Sequence, residues 1–542
     1  MAYNLLRERW IPVRCQSGAT DWIAPHQIAE RDDPPVAIAS PRPDFDGALI
    51  QFLIGLMQTT AAPKDKRAWE RRYEQPHSPE ELREQFATVE LAFNLDGDGP
   101  RFMQDLTLTP AKKDELPIGA LLIDRMGEVN LADKSDLFAK PDRYPALGLP
   151  AAAMALFALQ SNAPAGGSGN RTSLRGGGPL TTLVAGANLF STVWLNVLPA
   201  PDFALATKFG NAELSAPEAT FPWLAPTRTS EGGRATTPLD IHPAQHFWAL
   251  PRRIRLVVAT NDLGTCAATG QNEVRVVRAY HARNLGVNYE GEFRHPLTPY
   301  ALVNPNEPLN PKKPKGGIPY RDWPQFVAGD STHEPARVVQ AFHAQRRFEV
   351  ARDVRLWAFG FDMDNMKPRA WHQGVTPLVP IESERQDAFR AVLSGLVEAS
   401  ESVRKTLLNK VKEAIARRPQ DLPGDIAATL NAAFWMRTEA SFFEAISAVR
   451  DVLPDVERLA PISERWLEAL HQAALALFET YSQANGDFVA ADVRRVAVAW
   501  NELRRFTHPN SPLLRKAVGL AVKEPELKKP KTKRSKKKED LP

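Results

Sequence analysis

Proline restricts this chain more than any other feature of its sequence. It fills 46 of the 542 positions, about 8.5% against an ordinary ~5%, and each ring fixes φ and removes a backbone donor. Long regular elements are therefore confined to stretches that proline spares, and over residues 1 to about 375 those are short. β-like runs at Trp10–Val13, Thr182–Val184, Ser191–Val197, Arg253–Ala259, Glu273–Val277 and Val354–Phe361 alternate with turn-rich connections. Helical stretches fall at Asp44–Thr59, Pro79–Phe93 and Ala151–Leu159. The segment 303–330, VNPNEPLNPKKPKGGIPYRDWPQFVAGD, reads as an extended surface loop.

From about residue 382 the pattern changes. Ala388, Val392, Leu396, Val403, Leu407 and Val411 recur at helical spacing. Further helical stretches follow at about 424–452, 461–484 and 488–506, separated by breakers such as Pro454 and Asn485-Gly486. Pro461-Ile462-Ser463-Glu464 and Asp487 supply helix-start signals. Four helices on short connections predict a four-helix bundle. The fold class is α+β: a large mixed, irregular N-terminal domain over 1–378, a C-terminal four-helix bundle over 379–512, and a disordered basic tail over 513–542.

The charge is unevenly spread. The chain carries a net +4, but residues 523–542 alone hold nine Lys/Arg and four Asp/Glu, leaving −1 for residues 1–522. A basic tail with so few apolar residues is expected to be disordered. It suits either plain solvation or contact with a polyanion by counterion release. In a neutral body, any nucleic-acid contact has to come from local patches. The two cysteines, Cys15 and Cys266, rule out a disulfide framework or a four-cysteine zinc site and point to a reducing compartment. The opening MAYNLLRERWIPVR lacks the apolar core of a signal peptide. The apolar stretch Ala146–Leu159 is too short to span a bilayer and contains Pro150. A soluble, cytoplasmic protein with no membrane partner is expected.

Motifs for catalysis are weak. The chain has no Walker-type phosphate loop and no G-x-S-x-G elbow. Gly167-Ser168-Gly169 opens like a dinucleotide fingerprint, but Thr172 stands where the third glycine belongs. His242 and His246 lie four apart with Pro243 between them, which spoils a helical zinc pair. Asp362 and Asp364 suit a cation on one strand face or, more simply, an exposed loop. The enzymatic alternative is a metal-dependent nucleotide-processing or nuclease activity built on the glycine-rich loop and Asp362/Asp364. The reading without an enzyme has no catalytic residues, no cofactor and no metal.

Residues 163–182, APAGGSGNRTSLRGGGPLTT, are more informative. Two glycine clusters flank Arg171 and Arg175. Without side chains a backbone can approach a ligand closely, and arginines nearby can donate to phosphate. Such a loop suits the narrow minor groove of DNA; a flexible connection is the plainer account.

The opening NLLRERWIPVR, the stretch SPRPDFDGALIQFLIGLMQTTAAPKD, RFMQD at 101–105, SLRGGGPLTT with STVWLNVL, and DIHPAQHFWALPRRIRL together resemble the CasA family, the large subunit of the type I-E CRISPR Cascade complex. The resemblance runs through most of the chain. It implies a non-catalytic subunit of a crRNA-guided antiviral surveillance complex. Such a subunit recognises the protospacer-adjacent motif (PAM) in double-stranded DNA from the minor-groove side, helps open the duplex, and recruits a helicase-nuclease. Pairing with the guide reads the remaining sequence, and the degenerate minor-groove pattern suits a family tolerant of related PAMs. The implied partners are target duplex, crRNA, the backbone and small Cascade subunits, and the helicase-nuclease.

Carried onto this sequence, the family's glycine loop falls on Ala165, Gly166, Gly167, Ser168 and Gly169, with Ala165 and Ser168 replacing glycines. A minor-groove lysine of the family maps to Asn284, beside Arg283, which is expected to supply the charge. A duplex-opening wedge maps to Asp364, Asn365 and Met366. The contact with the crRNA handle and the neighbouring subunit maps to Phe138. Some relatives carry paired cysteine motifs for zinc. The corresponding positions here are Gly148, Ala151, Cys266 and Thr269, so no zinc is expected. On the helical bundle, Arg404, Lys405, Lys410, Lys412, Arg494, Arg495, Arg504 and Arg505 are candidates to track phosphates.

Overall fold

The computed structural model describes residues 2–109, 111, 115–124, 143–164, 166–167, 169–207, 210–211, 213–259, 261–302, 304, 310–364, 367–415, 424–455, 457–483 and 493–522. It divides into two compact units, residues 1–384 and 385–542.

The first unit is built around two buried helices. Helix α1, Pro43–Thr60, starts with proline in its first turn and with Asp44 and Asp46 near its positive end. Buried residues lie all round it. Phe52 of α1 is the hub of an aromatic core. The rings of Trp10, Phe93, Phe102, Phe157 and Trp248 meet it nearly edge-on at centroid distances of 5.2 to 5.8 Å. Indole donors in this core find acceptors: Trp248 Nε1 donates to Thr59 Oγ1 at 2.9 Å and Trp223 Nε1 to the Ala92 carbonyl at 2.7 Å. Gly55 makes room on α1, since a Cβ there would meet Phe247 at 2.8 Å. Helix α2, Leu149–Asn162, is alanine-rich and buried through most of its length, and its C-terminal end launches the glycine-rich segment.

Three antiparallel pairings position that segment. Strand β1, Thr181–Ala185, leaves it and pairs with β4, Arg355–Asp364. Strands β2, Arg253–Val258, and β3, Val276–Arg283, pair beside it. On its other edge β4 pairs along its full length with β5, Lys367–Pro377, from Arg355↔Pro377 to Asp364↔Lys367. The register shifts at Asp362/Met363, a bulge of the kind that re-aims side chains.

Several sequence expectations are met closely: Asp44–Thr59 lies within α1, Ala151–Leu159 within α2, and Arg253–Ala259 and Thr182–Val184 coincide with β2 and β1. Others are corrected. Of Ser191–Val197, expected as a strand, Ser191–Leu195 belongs to a helix, Leu189–Leu195, whose N-terminus is set by Asn188: its Oδ1 accepts from Ser191 N at 2.8 Å while Ser191 Oγ accepts from Asn188 N at 3.0 Å. Glu273–Val277 splits between Asn272–Glu273 and the longer β3. The segment 303–330 is not simply a surface loop, because Tyr320, Trp323 and Phe326 are buried and a helix forms over Trp323–Val327. The strand expected to end at Phe361 continues to Asp364.

The motif RFMQD serves the fold. Gln104 donates to the Leu95 carbonyl at 2.8 Å and accepts from Leu256 N at 2.9 Å. Asp105, fully buried, takes Arg253 Nε at 2.6 Å. Burial raises the Asp105 carboxyl, but hydrogen bonds from Arg253 and Thr107 outweigh it and hold the group below the usual carboxylate range. Both cysteines, Cys15 and Cys266, are buried free thiols.

The second unit contains, among the described residues, four longer helices: α3, Gln386–Ile415; α4, Gly424–Val452; α5, Leu459–Gln483; and α6, Val493–Phe506. Val403, Leu407 and Val411 of α3 are buried, as their spacing requires. A further short helix, Pro512–Ala517, with Leu514 buried, corrects the expectation that the chain is disordered from residue 513. It lies against α3 at Gly395, where an added Cβ would run into the Ala517 carbonyl. Among the described residues no single helix is long and apolar enough to cross a membrane.

Candidate nucleic-acid interface

The glycine-rich segment leaves α2 and folds back on the helix's own end. Ser173 N donates to the Ala163 carbonyl at 3.0 Å and Gly178 N to the Asn162 carbonyl at 3.3 Å. Arg252 Nη2 holds the Pro164 carbonyl at 2.5 Å. The first glycine cluster therefore projects from a closed base.

The three described glycines of that cluster differ in what the fold asks of them. A Cβ on Gly166 would meet Asn170 Cβ at 2.5 Å. Gly169 has φ +80° and faces Leu285 Cδ2, 2.6 Å from where its Cβ would sit, so glycine is required on both counts. Gly167 is exposed, with open space where a side chain would go. Ala165 and Ser168 lie outside the described residues.

Gly169 also links two predicted features that sequence alone left separate. Its carbonyl accepts from Leu285 N at 3.0 Å, and Leu285 follows directly on Arg283 and Asn284 at the end of β3. Arg283 and Asn284 are both exposed. The Arg283 guanidinium reaches the Thr109 carbonyl at 3.4 Å. Arg171 Nε is held by Ser230 Oγ at 2.9 Å, and Ser230 N donates to the Leu285 carbonyl at 3.1 Å. The glycine loop, the turn after β3 and the Ser230 turn thus form one braced surface.

Arg175 does not belong to that surface. It is 5% exposed, and its guanidinium donates inward to Gln51 Oε1, Thr181 Oγ1 and Thr298 Oγ1 at 2.6, 3.0 and 3.1 Å. The expectation that it contacts phosphate alongside Arg171 is corrected. Nothing in the residue order distinguishes an arginine turned inward from one turned outward.

The second cluster, Gly176–Gly178, meets the β4–β5 hairpin at Gly178. Gly178 has φ +59°, and a Cβ there would lie 2.5 Å from the Phe361 carbonyl. Asp364 lies at the end of β4, beside the hairpin's turn; Asn365 and Met366 lie outside the described residues, as does Phe138. Asp364 is exposed and pairs with Arg369 at 2.7 Å. Its carboxyl is held below the usual range by that hydrogen bond and charge, with Lys315 and Lys367 adding to the effect. Lys315, Lys367 and Arg369 are all exposed and gather beside the turn. The sequence reading missed this cationic group. Its one visible sign was the PKKPKGG run, brought to the hairpin where Gly316 N donates to Asp362 Oδ2 at 3.0 Å.

Asp362 and Asp364 do not form a matched pair. Asp362 is buried with its Oδ2 bonded to Gly316 N, whereas Asp364 is exposed beyond the bulge. His246 is buried with its Nδ1 2.8 Å from the Pro243 carbonyl, and His242 caps the turn ahead of it by accepting from Ala244 N at 3.2 Å. Among the described residues no three His, Cys, Asp or Glu side chains are grouped to hold a metal ion. Ala267 N donates to the Ala146 carbonyl at 2.9 Å, which draws together the segments holding Gly148, Ala151, Cys266 and Thr269. Those four residues offer one thiol and no imidazole, which does not fit a zinc centre.

Of the bundle cations, Arg404 is engaged by Glu401 and Asn431, Lys410 by Glu413 and Glu502, and Arg495 donates to the Ala414 carbonyl. Lys405, Arg494, Arg504 and Arg505 are exposed.

The whole architecture recurs in CRISPR-associated proteins of known structure. Thermus thermophilus CasA (Cse1) matches over 93% of this chain and 99% of its own, with 18% identity and a TM-score of 0.68. Thermobifida fusca Cse1 matches over 96% and 99%, with 15% identity and a TM-score of 0.69. A chain of a CRISPR RNA-guided surveillance complex matches over 93% and 99%, with 17% identity and a TM-score of 0.66. The model of the family described as CRISPR-associated protein Cse1 matches residues 4–477. The chain belongs to the Cse1 family, the CasA family of the sequence resemblance.

Proposed function

We propose that this chain is the large, non-catalytic subunit of a crRNA-guided surveillance complex, that it reads the PAM in duplex DNA, and that it starts strand separation. The loop around Gly166, Gly167 and Gly169 approaches the minor groove with its backbone, while Arg283 supplies charge and Asn284 hydrogen-bonds a base edge. Asp364, Asn365 and Met366 act as the wedge that enters the first base step. Lys315, Lys367 and Arg369 neutralise phosphates of the separating strands. Phe138 meets the crRNA handle, and a helicase-nuclease is recruited to the opened site.

The observation that carries this reading is Gly167. Its neighbours Gly166 and Gly169 are explained by contacts within the fold, but Gly167 faces open space, two residues before the glycine that is bonded to Leu285 after Arg283 and Asn284. A glycine with no internal reason to be one is consistent with a surface that something else approaches closely.

The test is binding of the reconstituted crRNA complex, with and without this chain, to duplex targets bearing a randomised PAM. The chain is expected to restore PAM-selective binding, and Gly167→Val and Arg283→Ala to weaken it. Selectivity that is equal without the chain would refute the reading.

A further inference from the structure

One segment touches both elements of the proposed DNA site. Its outer glycine, Gly169, is bonded to Leu285 beside Arg283 and Asn284. Its inner end is fitted to the hairpin: Gly178 sits against Phe361 and Met363, and a Cβ on Gly360 of β4 would lie 2.6 Å from the Pro179 carbonyl. Between these ends Arg175 turns inward to Gln51 on α1, Thr181 on β1 and Thr298.

Those partners are all neutral oxygens. Among the described residues no carboxylate is paired with Arg175, and the imidazoles of His246 and His295 line a water-sized cavity beside it. Burying a guanidinium without an opposing charge is an expensive way to fill a core, and an apolar side chain of similar volume often serves stability as well or better. What the guanidinium provides instead is geometry. Its planar fork donates in fixed directions, and here those directions lead to α1, to β1 and to the loop residue Thr298. Burial draws the group down to about 10, so it stays protonated near neutral pH and keeps all its donors.

We infer that Arg175 is a positioning residue that holds the two glycine turns at a fixed spacing, so that engagement of the duplex at Gly166–Gly169 is geometrically coupled to strand separation at the hairpin tip. The inference rests on the recognition role proposed above and adds the link between its two halves. Losing the network leaves each half present but out of register with the other.

The experiment uses the reconstituted crRNA complex with Arg175→Met, Arg175→Lys and Thr298→Val. Each is assayed on a fully paired target and on one already mismatched beside the PAM, with a fluorescent base analogue reporting opening. Arg175→Met is expected to slow opening of the paired target by about ten- to a hundred-fold, as a displaced positioning group does. Its affinity for the pre-opened target is expected to change by less than about three-fold, with Arg175→Lys recovering part of the rate. Equal losses on both targets, or no loss on either, would overturn the inference. If the Met variant does not assemble, Thr298→Val, which keeps the charge and removes one acceptor, decides on the same two targets. The wild-type complex separates the two ideas. Opening that ignores the PAM sinks the recognition role itself, whereas PAM-dependent opening that survives in the variants sinks only the coupling.

Discussion

Gly167 and Gly169 stand two residues apart and answer to different demands. At Gly169 a side chain meets a left-handed backbone and the Leu285 side chain, so Gly169→Ala should destabilise the first unit by about 1–3 kcal/mol. Gly167→Ala fills open space and should leave stability within about 0.5 kcal/mol while weakening duplex binding by the assembled complex. Calorimetry of both variants beside a DNA titration checks the pair. A large stability loss in Gly167→Ala would mean the loop is merely structural there. Both glycines were legible in the sequence as a cluster, but their division of labour was not. It depends on Leu285, more than a hundred positions away, and spacing carries no record of such a contact. Arg175 was misread for the same reason.

Elements were readable where one pattern dominated. The buried stripe of α3 follows its 3.6-residue period, and β2 and β4 follow their runs of branched and aromatic residues. Leu189–Leu195 was misread because STVWLNV has strand-forming composition, while the signal that decides the matter is a cap outside the run, at Asn188. Asn188→Ala should therefore cost about 1 kcal/mol, measurable by denaturant titration; no change would show that packing alone holds this helix. A second prediction concerns α3. Alanine normally improves a helix interior over glycine, but at Gly395 the Ala517 carbonyl occupies the place of the methyl group. Gly395→Ala should destabilise the helical unit by about 1–3 kcal/mol and expose the Pro512–Ala517 helix to protease. A stabilised variant would contradict this close approach.

At the scale of the whole molecule, acid should act chiefly on the first unit. His246, His295 and His343 are buried there. Burial pushes His246 and His343 down to about 4 and His295 well below its ordinary value. The unfolded chain takes up these protons near pH 6.5 and the folded unit does not until far lower, so stability is full above 6.5 and falls as pH drops toward 4. For His246 and His343 the loss is on the order of 3 kcal/mol each at pH 4. Asp46 works in the opposite direction, since burial raises it to about 6 and its protonation favours the folded state as pH falls, and burial raises Asp44 and Glu273 as well. Burial also lowers His26, His77 and His242, so the lowered imidazoles outnumber the raised carboxyls and the first unit should melt at a lower temperature at pH 5 than at pH 7, as scanning calorimetry would show. An unchanged transition would mean these imidazoles are accessible to protons in the folded state.

The burial of both cysteines has a practical consequence. Cys15 is 8% exposed and Cys266 not at all, and thiols enclosed in this way react slowly. A cysteine placed at Arg234, beside the Ser230 turn that braces the glycine loop, or at Val375 on β5 of the hairpin, both exposed, would then be the chain's principal reactive handle without removal of either native thiol. Dyes attached at the two sites would report, by energy transfer within one molecule, whether loop and hairpin move together when a target duplex is engaged.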